Sequence, residues 1–471
     1  MKRVLMVSEK FPPFNVSGSA RPFYFAKYLP EHGYLPTVIG ERVPKDAERD
    51  ETLLGQLPPE VQIFRGPRIV TPTFAAISEL LRPSRARRSR SSGPAAKSPS
   101  GGLMAPGGGV MAPGGGVIPP GGAARTKRFD ESTWARLGPN AMLFRWWLNW
   151  EIDWGVTATL ASTLGVARAK PDLVWVSGPH FRSYEVGRRL SAWLRVPLVI
   201  DMRDPWTYGS LWRPKTPQIA AAERRRAVRA LSAAARVVFT SPLTQQTMAQ
   251  RFPEVDSSRW STITNGYDDV QVEPLRDQSD DVCVFRYIGT LNRRRTPDVL
   301  IQALAKAALD PELRASAALE LIGSAGGHES KVALAPGCSV RFRGQVSRND
   351  SLRYAFGGDV LILLQTIGDG QDVVSGKAFE YLHAGKPILA VVDPAGGDAW
   401  LMRETGAGEI AAWTDVDAVA AAMRRAWQTW RERRQNGPGT TPKLANVAYS
   451  RRELTGQLAR LFDEVLAERQ L

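Results

Sequence analysis

Two carboxylates and a lysine surround the start of a short predicted helix late in the chain. Asp372 and Glu380 are separated by seven residues, and Lys377 lies between them. Ser375 suits an N-cap and Gly385 a C-terminal stop, so the pattern predicts a helix of about ten residues. The free N–H groups and partial positive charge of a helix start favour a diphosphate, and carboxylates accept hydrogen bonds from sugar hydroxyls. The segment therefore predicts a nucleotide-sugar site, and a solvated surface helix is the alternative.

Strands and helices alternate on both sides of this segment. The predicted strands are 4–7, 36–39, 172–176, 197–200, 236–240, 283–288, 319–322, 340–342, 359–364 and 387–392, and the predicted helices are 21–32, 184–194, 220–235, 296–307 and 416–434. This alternation predicts parallel, doubly wound sheets, whose ligands bind at the carboxyl ends of the strands. A length of 471 residues suggests two such domains.

The composition narrows the class of protein without fixing its partner. A net charge of +15 favours an anionic surface, which could be nucleic acid, lipid headgroups or a phosphorylated substrate. Cys283 and Cys338 make no disulfide framework, and no Cys/His cluster has zinc spacing, so we expect a reducing cytoplasm. The first residues lack the features of a signal peptide, and no apolar run is long enough to predict a membrane-spanning helix.

Two segments interrupt the α/β pattern. Residues 83–128 are basic and rich in Gly and Pro, with a repeat of seven residues, and predict a flexible insertion. It is either a tether to anionic lipid or an insertion without function. Residues 143–154 contain four tryptophans, of which Trp146, Trp150 and Trp154 share one helical face. That helix would contact a membrane interface or acceptor lipid, or else pack in the core.

Several motifs in this order resemble one enzyme family. They are Phe11-Pro-Pro-Phe-Asn-Val-Ser-Gly-Ser-Ala-Arg21, Val196-Pro-Leu-Val-Ile-Asp-Met-Arg-Asp-Pro-Trp206, Ile263-Thr-Asn-Gly-Tyr-Asp268, Tyr287-Ile-Gly-Thr-Leu291 and the run from Asp372 through Glu380 to Leu389. Together they resemble the retaining GT-B glycosyltransferases of family four, in a branch common in bacterial polysaccharide assembly. The resemblance covers nearly the whole chain apart from residues 83–128.

The resemblance implies an α/β fold with two Rossmann-like doubly wound domains facing a central cleft. Residues 1–270 would bind the acceptor, 271–440 would bind the donor, and 441–471 would form a helix that returns to the first domain. Such an enzyme moves a sugar from a nucleoside diphosphate sugar to a hydroxyl-bearing glycan or lipid-linked acceptor, in polysaccharide or glycoconjugate synthesis. The implied enzyme needs no metal and no cofactor, binds no nucleic acid, and works in the cytoplasm, with contact to the inner face of an anionic membrane as an option.

The resemblance also assigns roles to residues. Asp372 would bind hydroxyls of the donor sugar, and Glu380 would bind the ribose of the nucleotide. Arg295 stands where relatives have a phosphate-binding lysine, and its guanidinium can bind phosphate oxygens in two places. The other expected donor contacts are Gly18, Gly289, Arg293, Arg294 and Lys377. Two departures affect donor choice: Asp372 is shorter than the family's glutamate, and Thr290 replaces a common arginine.

The expected catalytic residues on the acceptor side depart from the family's usual pattern. Arg203 and Asp204 stand where many relatives carry a histidine that touches the reacting sugar. Asp204 would act as a base or orient the acceptor, or else pair with Arg203 to fix the loop. His180 follows a strand and would face the cleft, or else lie in an uninvolved loop.

Two rival functions remain open at the level of sequence. A GT-B sugar-nucleotide epimerase would need acids and histidines placed for proton abstraction, and the chain has only four histidines. An inactive transferase scaffold that binds anionic membrane or nucleic acid would show salt-sensitive binding to polyanions and no sugar transfer.

Overall fold

The computed structural model describes residues 1–14, 16–43, 49–66, 170–178, 181–208, 214, 216–276, 278–365, 371–436 and 447–469. The predicted insertion at 83–128, the tryptophan-rich segment at 143–154 and His180 lie outside these residues. Both sheets belong to one compact unit, which comprises residues 1–68 and 148–471.

The first sheet has seven described strands, all parallel. They are β1 Lys2–Ser8, β2 Tyr34–Glu41, β3 Gln62–Gly66, β4 Leu173–Ser177, β5 Leu198–Met202, β6 Arg236–Phe239 and β7 Trp260–Thr262. The strand order is β3-β2-β1-β4-β5-β6-β7. The helices around this sheet are α1 Ser17–Tyr28, α2 Arg182–Leu194, α3 Pro217–Ala233 and α4 Pro242–Arg251.

The second sheet has six described strands and is also parallel. They are β8 Cys283–Ile288, β9 Ala317–Ile322, β10 Ser339–Phe342, β11 Val360–Leu364, β12 Ile388–Val392 and β13 Gly408–Ala412, in the order β10-β9-β8-β11-β12-β13. The remaining helices are α5 Asp298–Ala307, α6 Pro311–Ser316, α7 Arg348–Phe356, α8 Gly376–Ala384, α9 Gly397–Thr405, α10 Val416–Asn436 and α11 Arg451–Glu468. Short 3₁₀ turns occupy Leu29–His32, Glu51–Gln56, Ser257–Arg259, Glu329–Leu334 and Val447–Tyr449.

Each sheet buries both faces, which explains the near-continuous apolar strands. In β1, Leu5 and Val7 join a core with residues of α2 to α4, whereas Val4 and Met6 join a second core with residues of α1 and α11. Successive strand residues point to opposite faces, so this alternation follows from the pleat. The second sheet is covered in the same way, by α5 and α10 on one face and by α8 and α9 on the other.

The predicted doubly wound sheets are confirmed. Strands β3, β7 and β13 and helices α4, α6, α7 and α9 were not predicted, and the other differences lie at element ends. The helix predicted from Thr296 begins at Asp298, because Pro297 occupies its N-cap. The first helix starts at Ser17 rather than at Arg21 and continues beyond Tyr28 as a 3₁₀ turn. These shifts are confined to helix ends.

In both sheets the strand order reverses direction at one point, between β1 and β4 and between β8 and β11. In open α/β sheets, ligands bind beyond the carboxyl ends of the strands at such switch points. The expected site residues Gly18, Gly289, Arg295 and Asp372 all follow one of these four strands. The topology therefore gathers them at two facing edges.

Candidate functional site

Helix α8 has the predicted bounds, but the Ser375 hydroxyl does not cap it. Ser375 lies at the N-cap position, yet its hydroxyl accepts no bond from the helix. Instead, the Ser375 N–H donates to the Asp398 carboxylate at 2.8 Å. Gly385 ends the helix with φ of 63°, a left-handed conformation that glycine adopts without steric cost. The helix start is thus bound to a carboxylate of α9 that was not expected to take part in the site.

Asp398 of α9 is a buried acid beside the start of α8. Only 3% of the Asp398 surface is exposed. Burial raises the pKa of this carboxyl to about 6, while the bonds from Ser375 and the positive charge of Arg295 pull the pKa down. Two glycines precede it, and a Cβ on Gly397 would lie 2.8 Å from the Asp372 carbonyl oxygen. The signal that sequence reasoning missed was this Gly-Gly-Asp run shortly after a buried strand.

Glu380 lies in a cluster of positive charge. Its Oε2 is 2.8 Å from the Lys377 ammonium, and its Oε1 is 3.4 Å from the Arg348 guanidinium. Burial raises the pKa of Glu380, but these two cations together with Arg451 outweigh burial and hold the pKa below its ordinary value. Lys377, expected on a diphosphate, also donates to the Ser351 hydroxyl at 3.2 Å. Glu380 is therefore an ionised acceptor for hydroxyl groups.

The three consecutive arginines after β8 occupy different environments. Asn292 and Arg295 exchange two backbone hydrogen bonds, of 3.0 and 3.1 Å, which close a tight turn. Arg293 and Arg294 are exposed, whereas Arg295 is partly buried. Arg295 bonds to the Tyr287 hydroxyl and lowers the pKa of Asp398 through its charge. The structure therefore separates Arg295 from its two neighbours and directs it toward the start of α8.

Gly289 precedes the arginine turn and is sterically required. A Cβ at this position would lie 2.7 Å from the Tyr287 hydroxyl oxygen, which is closer than such atoms approach. Its N–H donates to the Ile322 carbonyl at 2.8 Å, so the backbone of the loop follows the end of β9. The glycine lets the loop after β8 lie flat beside the strand ends.

Asp372 contacts the first sheet domain directly. The Tyr208 hydroxyl donates to Asp372 Oδ2. The Asp372 main-chain carbonyl accepts bonds from the Ser241 hydroxyl at 2.6 Å and the Thr244 hydroxyl at 3.1 Å. The expected sugar-binding carboxylate is thus placed where the two sheet domains meet.

Arg203 fixes two loops of the first domain. It donates from Nε to the Gly178 carbonyl and from Nη1 to the Gly18 carbonyl. A Cβ on Gly18 would lie 3.3 Å from the Arg203 guanidinium, so the glycine permits this close approach. Burial lowers the pKa of Arg203, and burial raises the pKa of the adjacent Asp204 against the charge of Arg203. Arg203 therefore holds the loop through carbonyl oxygens, and Asp204 is a partly buried acid beside it.

One protein-family model matches part of the chain. Residues 117–266 match the family model described as "Glycosyl transferase 4-like domain", a range that contains Arg203, Asp204, Tyr208 and Ser241. No curated protein is significantly similar in sequence to the chain.

Solved structures share the architecture along the whole chain. Sucrose-phosphate synthase from Thermosynechococcus elongatus is 16% identical with a TM-score of 0.60, over 99% of this chain and 100% of that protein. Anabaena HepE, solved with UDP-glucose, is 14% identical with a TM-score of 0.54, over 98% of this chain and 100% of that protein. WaaG, a glycosyltransferase involved in lipopolysaccharide biosynthesis, is 14% identical with a TM-score of 0.50, over 97% of this chain and 99% of that protein. The predicted GT-B fold is confirmed.

A buried ion pair lies at the carboxyl ends of β4 and β5 in the first sheet domain. Arg21 binds the Asp201 carboxylate at 2.7 Å and donates to the carbonyls of Ile263 and Thr264. Asp201 also accepts a bond from the Ser177 hydroxyl at 2.8 Å. The cluster joins α1, the ends of β4 and β5, and the segment that leads toward the second sheet. Sequence reasoning missed it because the two partners are 180 positions apart.

The described residues contain no candidate metal site and no candidate membrane-spanning helix. No group of three or more His, Cys, Asp or Glu in these ranges could hold a metal ion. In the same ranges, no helix is both long enough and apolar enough to cross a membrane.

Proposed function

We propose that the chain transfers a sugar from a uridine diphosphate sugar to a hydroxyl acceptor with retention at the anomeric carbon. The observation that carries this proposal is the placement of Asp372 and Glu380 around the start of α8, with Arg295 directed at the same point. A helix start and a guanidinium supply fixed positive charge for a diphosphate, and the two acids supply acceptors for hydroxyls. UDP is chosen as the nucleotide because HepE, which shares the fold, was solved with UDP-glucose.

The two sheet domains have different roles in the proposed reaction. We assign residues 271–440 to donor binding, residues 1–270 to acceptor binding, and residues 441–471 to a helix that returns to the first domain. The packing of α11 in the core formed by Val4, Met6 and Trp175 supports the last assignment. Gly289 and Lys377 complete the donor side, and Gly18 shapes the loop opposite.

The leaving diphosphate is stabilised by fixed charge rather than by a nucleophile of the protein. The acceptor hydroxyl attacks from the face that the diphosphate leaves, and the departing phosphate oxygen takes the proton. Arg295 and the N–H groups of α8 offset the charge that develops on the phosphate. Asp204 orients the acceptor hydroxyl, and Arg203 holds the loop that carries it.

We propose a hydroxyl-bearing glycan or lipid-linked acceptor, in polysaccharide or glycoconjugate synthesis. The family model at 117–266 and the name of WaaG support this class. The net charge of +15 supports work in the cytoplasm at the inner face of an anionic membrane.

The test is turnover of UDP-glucose by Glu380→Ala and Arg295→Ala, with UDP release as the readout. Each variant should lose at least about tenfold in kcat/KM, since each loses a charged contact to the donor. Glu409→Ala and Arg425→Ala are matched controls, because these residues form an exposed ion pair outside the site. Full activity in both site variants, or no turnover by the wild type, would contradict the proposal.

A further inference from the structure

Tyr208 reaches across the cleft to the expected sugar-binding acid. It follows β5 in the first sheet domain, and its hydroxyl donates to Oδ2 of Asp372, 164 positions later in the chain. The Arg251 guanidinium lies 4.5 Å from the centre of the Tyr208 ring and fixes the ring from one side. Burial and the bond to Asp372 raise the pKa of Tyr208 above its ordinary value, so the hydroxyl remains a donor at neutral pH.

The main chain of Asp372 is fixed from the same side. Its carbonyl oxygen accepts the hydroxyl hydrogens of Ser241 and Thr244, both at the start of α4. Behind it, Gly397 leaves no room for a Cβ, which would lie 2.8 Å from the same oxygen. Three hydroxyls of the first domain therefore fix one residue of the second.

The two oxygens of the Asp372 carboxylate differ in their environment. Oδ2 is bound by Tyr208, and no described residue donates to Oδ1. An aspartate extends one methylene less than a glutamate, so its neighbours decide where the free oxygen points. A carboxylate with one oxygen held in place loses less freedom when a ligand binds the other.

We propose that Tyr208 is a positioning residue that holds Asp372 Oδ2 and thereby presents Oδ1 to a hydroxyl of the donor sugar. This inference rests on the proposed function. It makes sugar recognition depend on contact between the two sheet domains at Tyr208, whereas the proposed nucleotide contacts at Glu380 and Arg295 do not involve Tyr208. Tyr208 thus affects recognition of the sugar part of the donor and leaves binding of the nucleotide part unchanged.

The experiment compares UDP-glucose with UDP alone. Tyr208→Phe keeps the ring above Arg251 and removes only the hydroxyl. We expect kcat/KM for UDP-glucose to fall roughly 10- to 100-fold, because a bond to a charged group is lost, while the Kd for UDP measured by calorimetry stays within about twofold. Tyr34→Phe is the matched control: its hydroxyl donates to Asp463 at 2.8 Å, at the opposite end of the strands, and both values should remain unchanged.

A double-mutant cycle tests whether Tyr208 acts through Asp372. In an Asp372→Asn background, adding Tyr208→Phe should change kcat/KM less than about twofold, because the carboxylate that it positions is gone. Ser241→Ala is a second variant and should lower kcat/KM for UDP-glucose without changing the Kd for UDP. An active Tyr208→Phe enzyme with normal kcat/KM, equal losses for UDP and UDP-glucose, or full additivity in the cycle would overturn this role. A wild type that binds and turns over no UDP-glucose would instead overturn the proposed function together with it.

Discussion

Replacing Asp398 by asparagine should stabilise the protein at high pH and not at low pH. The pKa of this buried acid rises from its ordinary 3.8 to about 6. Each pKa unit corresponds to about 1.36 kcal/mol, so ionised Asp398 disfavours the folded state by about 3 kcal/mol above the folded pKa. The penalty fades as the pH falls from 6 toward 3.8 and is absent below 3.8, where both states are protonated. Asparagine resembles the protonated acid and can still accept the Ser375 N–H.

The assay is urea unfolding of the wild type and Asp398→Asn at pH 8 and again near pH 4. We expect the variant to gain about 3 kcal/mol in free energy of unfolding at pH 8 and almost nothing at the lower pH. Asp393→Asn is the matched control, because this partly exposed acid also accepts a backbone N–H, from Ala395 at 2.9 Å. The control should change stability by less than about 0.5 kcal/mol. A variant that is destabilised at pH 8, or a gain that is equal at both pH values, would refute the reasoning.

Asp398 should nevertheless be needed for activity. Its negative charge lies close to Arg295, and an asparagine amide at this position carries no charge with which to orient that guanidinium. The same substitution that stabilises the fold should therefore lower the turnover of UDP-glucose. Such a trade-off is common where an acid is kept in an unfavourable environment for function.

Three further predictions concern the fold and the donor. Arg286 and Glu320 are both 0% exposed and form an ion pair of 2.7 Å, so Arg286→Met should lower the free energy of unfolding by about 3–5 kcal/mol in urea; an unchanged midpoint would contradict this. The Arg451 guanidinium lies 3.7 Å from the Tyr24 ring centre and donates to the Gly266 carbonyl at 3.0 Å, so Arg451→Met should lower the melting temperature and weaken UDP binding in calorimetry; tighter UDP binding would count against it. UDP at 100 times its Kd should stabilise the wild type by about 2.7 kcal/mol in thermal melting, whereas uridine at the same concentration should stabilise it less; equal effects would argue against a diphosphate site.

The fold was largely predictable because its signals are local. Apolar runs of four to eight residues indicated buried strands, and glycines such as Gly33 and Gly385 marked helix ends through their positive φ. The parallel, doubly wound character of both sheets then follows from the alternation of strand and helix. These features depend on neighbours in the sequence, which is why they could be read without coordinates.

The site was only partly predictable because its contacts are not local. Asp372, Glu380 and Arg295 were found from their spacing, but the Tyr208 contact to Asp372 joins positions 164 apart. Ser375 was expected to cap α8 with its hydroxyl, which accepts no bond from the helix. Asp398, which lies 23 positions later, accepts the N–H of Ser375 itself. No pattern in the sequence records which loops of two sheets meet.

The position of α11 has a consequence for biosynthesis. Leu454, Leu458 and Phe462 of this last helix fill the same core as Val4 and Trp175, which are among the first elements to be made. Before α11 is made, α1 covers only part of that face of the first sheet, and the part that α11 later covers remains apolar and exposed. Completion of the first domain thus waits until α11 has been made, and a chain cut after residue 440 would offer the uncovered part of this face to chaperones or to other copies.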